Sequence, residues 1–360
     1  MLSGKHRKLA ALFGLIVLAL LYSLHSNAFA PRPPAAARLP AFNVDITQTS
    51  VSGLSSGGFM AVQFQVAHSS ILKGAGVIAG GPYFCATGDV TRAATICSCT
   101  HPFLSCQVSA GGTNVPNLID VTNQNANAGA IDPPSRLANH KVYLFAGEAD
   151  SKVPIPVMND LEQYYRAFMS AGNIRYTKSL PPPRRANHGM PTDSFGNPCD
   201  SSFTPFINNC GFDAAGELLK WIYGNLNPRN TGTLSGRFVE FDQQEFIRNA
   251  ASHGMAPNGI LYVPASCDGN QPCKLHVAFH GCSQSMALIQ DRFYKNTGYN
   301  QWADTNRMIV LYPQLALSSP NNPFGCWDWF AYDDPNYAKK NGRQVAAVRA
   351  MIDRIGGVSR

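Results

Sequence analysis

Five residues, Gly53-Leu54-Ser55-Ser56-Gly57, constrain this chain more than any other stretch. They fit G-x-S-x-G, in which a serine sits on a tight turn between a strand and a helix. Such a turn strains the serine backbone, and side chains at the flanking glycines would strike the neighbouring strand and helix. The surroundings agree. Val44 to Val51 (VDITQTSV) is β-branched and roughly alternating, which predicts a strand, while Gly58 to His68 (GFMAVQFQVAH) is apolar, proline-free and helix-compatible. A chance Gly/Ser turn is the alternative, and this flanking pattern argues against it.

A nucleophilic serine needs a base and an acid to orient it, in the chain order Ser, Asp/Glu, His. Asp150 lies just past the apolar run Lys141 to Ala146, at the carboxyl end of an expected parallel strand, where such sites form. Glu148 is its nearest rival. His188 follows the expected strand Ile174 to Leu180 and precedes a helix expected from Asp213 to Asn225, with Asp213 as N-cap. The other histidines fit less well. His6 and His25 fall in a leader, His140 and His276 adjoin or lie in strands, His68 ends a helix, and His101 and His253 lack a strand-end context. In the expected chemistry His188 takes the Ser55 proton, Asp150 holds the imidazole tautomer, and water then hydrolyses the acyl-enzyme. The developing oxyanion needs backbone N–H donors, one of them from Ser56. A second donor comes from a loop with an HG motif, and the matching loop is His280-Gly281-Cys282.

Residues 1–28 read as a secretory signal peptide: Lys5, His6, Arg7 and Lys8, then an apolar run from Leu9 to Tyr22, then small residues up to Ala28. The run is shorter than the ~20 residues a membrane span needs, so no membrane association is expected after cleavage. Residues 29–42 form a Pro/Ala-rich arm, and 43–360 are expected to be a single catalytic domain. Without the three Lys/Arg of the leader, the formal charge falls from +7 to +4, and no basic cluster remains to track a nucleic acid. With 14% charged residues against about 25% in a typical soluble domain, the surface suits a neutral substrate.

Ten cysteines in a chain bound for an oxidising compartment predict disulfides. Cys199 with Cys210, and Cys267 with Cys273, are close enough for local bridges. The pairing of Cys85, Cys97, Cys99 and Cys106 stays open. Their spacing lacks the C-x-x-C of zinc sites, so neither a metal nor a cofactor is expected.

Strands and helices alternate with short connections, which predicts an α/β fold, a mostly parallel sheet covered by helices on both faces. Further strands are expected at 74–81, 237–246, 259–263, 274–279 and 308–312. Helices are expected at about 154–171, from about Ser283, and at about 342–355. A cysteine-containing stretch at about 82–139 interrupts this rhythm and reads as an insertion over the sheet. The HG loop should precede the elbow in an α/β-hydrolase, yet here it follows by more than 200 residues. Read from Arg237 to Arg360 and then from Phe42 to Asn225, the elements fall into ordinary hydrolase order. The expected fold is therefore a circularly permuted α/β-hydrolase.

Several stretches together carry a resemblance in that permuted order. They are Ser52 to Gly58, Phe145 to Asp150, His188-Gly189-Met190-Pro191-Thr192, Asn208-Asn209-Cys210 with Asp213 to Gly216, His280-Gly281-Cys282-Ser283-Gln284, and Asn322 to Phe330. From about Val44 to Arg360 the chain resembles the single-domain, circularly permuted poly(3-hydroxybutyrate) depolymerases, secreted or periplasmic esterases. The resemblance implies a triad of Ser55, Asp150 and His188, oxyanion donors at the Ser56 and Cys282 N–H groups, and a Cys282–Cys326 disulfide holding the HG loop. It also implies an aromatic substrate wall, with Trp329 as first choice and Trp327 beside it. The substrate would be poly(3-hydroxybutyrate) or its oligomers; a separate binding module is absent, and the oligomeric state is open with a monomer favoured. A secreted carboxylesterase for acetyl or feruloyl groups on polysaccharide is the second reading, and a non-enzymatic hydrolase-like binding protein the third.

Overall fold

The apolar runs pair into a sheet whose central strands bury both faces. The computed structural model describes residues 37–318 and 322–358, and these cluster as one unit from Ala37 onward. The expected signal peptide and residues 29–36 of the arm lie outside the described residues. The strands are β1 (Val44–Leu54), β2 (Leu72–Ile78), β3 (Lys141–Phe145), β4 (Ile174–Thr177), β5 (Met190–Thr192), β6 (Asn197–Pro198), β7 (Ile207–Asn209), β8 (Arg237–Asp242), β9 (Asn258–Val263), β10 (Cys273–Phe279) and β11 (Met308–Tyr312). Eight of them form the main sheet in the order β4-β3-β2-β1-β10-β11-β9-β8, parallel from β4 to β11 and antiparallel at β9 and β8. Counted from β8 to β11 and on through β1 to β4, that order reads 1-2-4-3-5-6-7-8. This is the hydrolase order that the exchange of halves in the sequence requires. The seam is compatible with it, because the Phe42 N–H donates to Ile355 O at 2.8 Å, bringing the two ends together.

Alternate residues of the central strands feed two cores. Val142 and Leu144, with Ile309 and Leu311, pack under α1 (Ser56–Ala67), α4 (Ile155–Arg166) and α9 (Arg343–Ile355). Tyr143 and Phe145, with Met308, Val310 and Tyr312, pack under α5 (Ala214–Tyr223) and α8 (Tyr299–Thr305). Burial on both faces explains why β2, β3, β10 and β11 read as apolar runs rather than alternating ones. Asp213 caps α5 as expected, its Oδ1 accepting the Gly216 N–H at 2.8 Å.

Two expectations change in detail, and the described end of the arm is fastened to the domain. The helix expected from Ser283 is broken into α6 (Met286–Ile289), α7 (Arg292–Asn296) and α8, because Gln290 (φ 56°) and Gly298 (φ 92°) take left-handed conformations. The helix expected over 154–171 ends at Arg166. The arm is not free along its described length: Ala37 bridges to Phe241, Leu39 is buried, and Arg38 pairs with Glu245.

The stretch 82–139 carries α2 (Val90–Thr95) and α3 (Val115–Asn127). Buried Asp160 of α4 fastens it by accepting from the Gly111 and Thr113 amides and the Thr113 hydroxyl. Its four cysteines pair as Cys85–Cys97 and Cys99–Cys106. Cys199–Cys210, Cys267–Cys273 and Cys282–Cys326 are also bridged, which leaves no free cysteine.

Candidate active site

Ser55 stands at the carboxyl end of the central strand β1 and opens α1. Its backbone has φ 57° and ψ −124°, a strained conformation for a residue with a side chain. From Thr49 to Ser69 it alone is not buried. The strain is held by the Ser55 N–H donating to Ile78 O (3.0 Å) and by the first helical bond, from the Phe59 N–H to Ser55 O (2.9 Å). The glycines are steric necessities. A Cβ on Gly57 would lie 2.5 Å from His280 O, and one on Gly53 would collide with Gly57 O.

The acid and the base come from two loops that cross. Asp150 follows β3, whose Phe145 accepts from the Ala79 N–H just beyond β2, so this loop begins beside the elbow. The 186–189 loop passes so close that a Cβ on Gly147 would lie 2.5 Å from Ala186 O. At this crossing the His188 Nδ1–H donates to Asp150 Oδ2 over 2.8 Å, with both side chains buried. The other carboxylate oxygen accepts the Lys152 and Val153 amides at 2.8 and 2.9 Å. Asp150 is thus held in one orientation from both sides, which fixes the imidazole ring it carries. Glu148 faces elsewhere, accepting from the Leu180 N–H. A second His–Asp pair, His253 with Asp333, is partly exposed, and Asp333 is shared with Arg343.

The HG loop closes over Ser55 from the β10 side. A Cβ on Gly281 would sit 3.4 Å from the Ser55 Cβ, so Gly281 lies directly against the serine. His280 is buried and shapes this turn: its Nε2 accepts the Leu315 N–H (3.2 Å), which leaves Nδ1–H to donate to Gly281 O (2.8 Å). Burial pushes its pKa down to about 4, so the ring is neutral and its tautomer is set by those two bonds. The Cys282–Cys326 bridge and the Ser283 N–H to Phe324 O bond (2.7 Å) tie the loop to the 322–330 segment.

That segment corrects one expectation. Trp327 is fully buried in the core, its indole N–H donating to His280 O at 3.0 Å, so it supports the HG loop from behind and offers substrate no surface. Trp329 keeps a small exposed edge, 7%, and stacks on Phe59 of α1 with ring centroids 3.9 Å apart. Phe59 lies one helical turn beyond Ser55, which brings Trp329 to the elbow. Ser56 is buried, and its hydroxyl receives the Trp327 N–H at 3.4 Å.

Two residues without a role in the sequence reading complete the surroundings. Phe206, with φ 54°, sets its ring edge-on to His188 at 6.0 Å. Buried Gln284 bonds both the Phe206 carbonyl and the Gly281 amide. The contacts therefore close into a ring: Ser55, Gly281, Gln284, Phe206, His188, Asp150, the end of β3, Ile78 and back to Ser55. Gln284 was visible in the HG motif, but nothing local said what it would reach.

No protein-family model matches the chain. It is 41% identical over 339 residues to a polyhydroxybutyrate depolymerase of Talaromyces funiculosus, covering 89% of this chain and 93% of that one. The chain belongs to the polyhydroxybutyrate depolymerase family. It is 48% identical over 325 residues to a poly(3-hydroxybutyrate) depolymerase of Delftia acidovorans, covering 89% of this chain but only 62% of that relative's length. The fold agrees with the family. A crystal structure of a PHB depolymerase from Penicillium funiculosum superposes with a TM-score of 0.76 at 39% identity, covering 90% of this chain and 100% of that one. A serine-to-alanine PHB depolymerase complexed with an R3HB trimer superposes with a TM-score of 0.77 at the same identity and coverage.

Proposed function

We propose that this depolymerase-family chain is a serine esterase that cleaves poly(3-hydroxybutyrate), or related short-chain polyhydroxyalkanoates, to oligomers and monomers. Ser55 Oγ attacks the ester carbonyl while His188 Nε2 takes its proton, and Asp150 stabilises the imidazolium that results. The N–H groups of Ser56 and Cys282 receive the oxyanion. His188 then protonates the leaving hydroxyl, and water, activated by the same imidazole, releases the acyl group from Ser55. The observation that supports this reading is a strained, unburied serine with the Gly281 loop against it, beside a loop crossing that holds the buried His188–Asp150 pair. The relative complexed with an R3HB trimer supports an oligomeric hydroxybutyrate as the occupant.

A polymer cannot be enclosed, so its hydrolase needs apolar surface beside the nucleophile. Phe324 (61% exposed) and Leu317, which packs near Gly325, flank the HG loop from outside. Phe103 (91% exposed) projects from the Cys99–Cys106 turn, whose Cys99 N–H donates to Lys152 O beside Asp150. These groups support docking on an apolar ester surface. Ten cysteines in five bridges support a secreted or periplasmic setting. Among the described residues no helix is long and apolar enough to cross a membrane.

The test is clearing of turbid polymer granules, with hydroxybutyrate trimers and p-nitrophenyl acetate alongside. Clearing and trimer cleavage are expected. Cleavage of the short ester with granules and trimers left intact would favour the small-ester carboxylesterase instead.

The wall assigned to Trp329 has its own expected result. Trp329→Phe keeps a ring against Phe59 but trims a largely buried indole, so a stability loss of about 1–2 kcal/mol is expected alongside any effect on substrate. On trimers, kcat/KM should fall about twofold, equivalent to ~0.5 kcal/mol of apolar contact at the small exposed edge. On p-nitrophenyl acetate, too short to reach the wall, it should hardly change. Equal losses on both substrates would return Trp329 to the core.

A further inference from the structure

We propose that Gln284 is a positioning residue that sets the spacing between the oxyanion loop and the loop that steadies the base, an inference resting on the function proposed above. Ser283 has φ 59°, which turns the chain back after Cys282 and folds the Gln284 side chain beneath Gly281. Its Oε1 accepts the Gly281 N–H at 2.7 Å. Its Nε2 donates to Pro205 O at 2.9 Å and to Phe206 O at 3.0 Å. The side chain is fully buried, so both amide hydrogens and the carbonyl are spent on backbone groups with no water to replace them.

The two loops it joins are about 75 residues apart in sequence and carry complementary halves of the chemistry. Gly281 lies against Ser55 and precedes the proposed Cys282 donor. Phe206 O also receives the Met190 N–H at 2.8 Å, two residues past His188, and its ring meets the imidazole edge-on. Among the described residues no other side chain hydrogen-bonds both loops. A carboxamide suits the task because it offers one acceptor and two donors in a single plane. Glutamate would lose the donors, and an apolar side chain would leave the Gly281 N–H unpaired. A loosened Gly281 displaces the oxyanion donor, whose alignment matters in the tetrahedral state far more than in the bound ester.

The experiment compares wild type with Gln284→Met, which keeps length and volume and removes the bonding groups. Active sites are counted by stoichiometric phosphonate labelling, so misfolded protein does not enter the rates. On p-nitrophenyl butyrate, kcat per labelled site is expected to fall on the order of 10²-fold, with KM within about threefold of wild type. Affinity for butaneboronic acid, which forms a tetrahedral adduct on the serine, should fall in proportion to kcat/KM. A purely structural glutamine would lower the melting temperature and the count of labelled sites but leave kcat per site unchanged, and that result overturns the proposal. Should Gln284→Met not fold, Gln284→Asn takes its place. Its shorter amide reaches one loop and not both, and a wild-type kcat per site in that variant overturns the proposal equally. Absence of labelling at Ser55 in the wild type would instead sink the underlying esterase reading, so the two failures are distinguishable.

Discussion

Replacing Ser55 by alanine is expected to lower ester turnover roughly 10⁶-fold and to abolish covalent labelling by an organophosphate. The fold should survive. The strained turn is imposed by close passage of Gly53, Gly57 and the His280 backbone, not by the serine hydroxyl. An alanine fits the same space, so the melting temperature should move by only a few degrees. Residual catalysis would come from substrate binding and the oxyanion donors alone. Because Ser55, His188 and Asp150 act as one unit, Ser55→Ala combined with His188→Ala should cost little more than either change alone. A double variant that multiplied the two losses would remove His188 from the unit. Ser56→Ala is the control for the elbow: if that change abolishes labelling and Ser55→Ala does not, the nucleophile has been misassigned.

The second large effect expected is loss of stability in mild acid. Burial pushes the pKa of His68 and His276 down to about 3, with Arg349 adding to the shift at His68, and that of His140 and His280 to about 4. The hydrogen bonds agree with neutral rings. His276 is gripped by the hydroxyls of Ser50 and Ser52, and His140 lies between Gln65 and the Ser69 carbonyl. In the unfolded chain each would titrate near ~6.5. A depressed histidine pKa contributes stability that is fully present above ~6.5 and is lost as pH falls toward the folded value, because the unfolded state then binds the extra proton. Asp328 opposes this. Its buried carboxyl is pushed up to about 7, so the folded state holds a proton there that the unfolded state releases down to about pH 4. Four histidines against one aspartate leave a net uptake of about three protons on unfolding, a slope on the order of 4 kcal/mol per pH unit between about pH 6 and pH 5. That is a large share of the 5–15 kcal/mol typical of folded proteins, about what a domain can lose before it melts. Thermal melts at a series of pH values give the proton uptake directly. His68→Gln, at a ring whose Nε2 has no hydrogen-bond partner, should flatten the slope by about one proton. A melting temperature constant from about pH 7 to pH 5 would show that these rings accept protons without unfolding.

The site was legible wherever its signal was local. The elbow needs a serine between glycines at a strand–helix junction, and those residues are contiguous in the chain. Asp150 and His188 could be picked because each follows a recognisable strand, and strand ends converge in a parallel sheet. Asp150 and Glu148 are two residues apart in sequence, and it is the crossing at Gly147 and Ala186 that turns one acid toward the imidazole and the other toward Leu180.

By itself the sequence determined the strands of the main sheet, the elbow at a strand–helix junction, the position of the HG loop after a later strand, and the two local disulfides near residues 199–210 and 267–273. Those features follow from backbone sterics and apolar periodicity, which act over a few residues and are written in adjacent letters. Only the tertiary structure decided that Trp327 is fully walled in while Trp329 keeps a small exposed edge, that Cys85 pairs with Cys97 and Cys99 with Cys106, and that Gln284 joins two distant loops. The physical reason is range. A hydrogen bond, a disulfide or a buried face depends on which remote segment arrives within about 3–6 Å, and that is fixed by packing the whole sheet and its helices, not by any short run of residues.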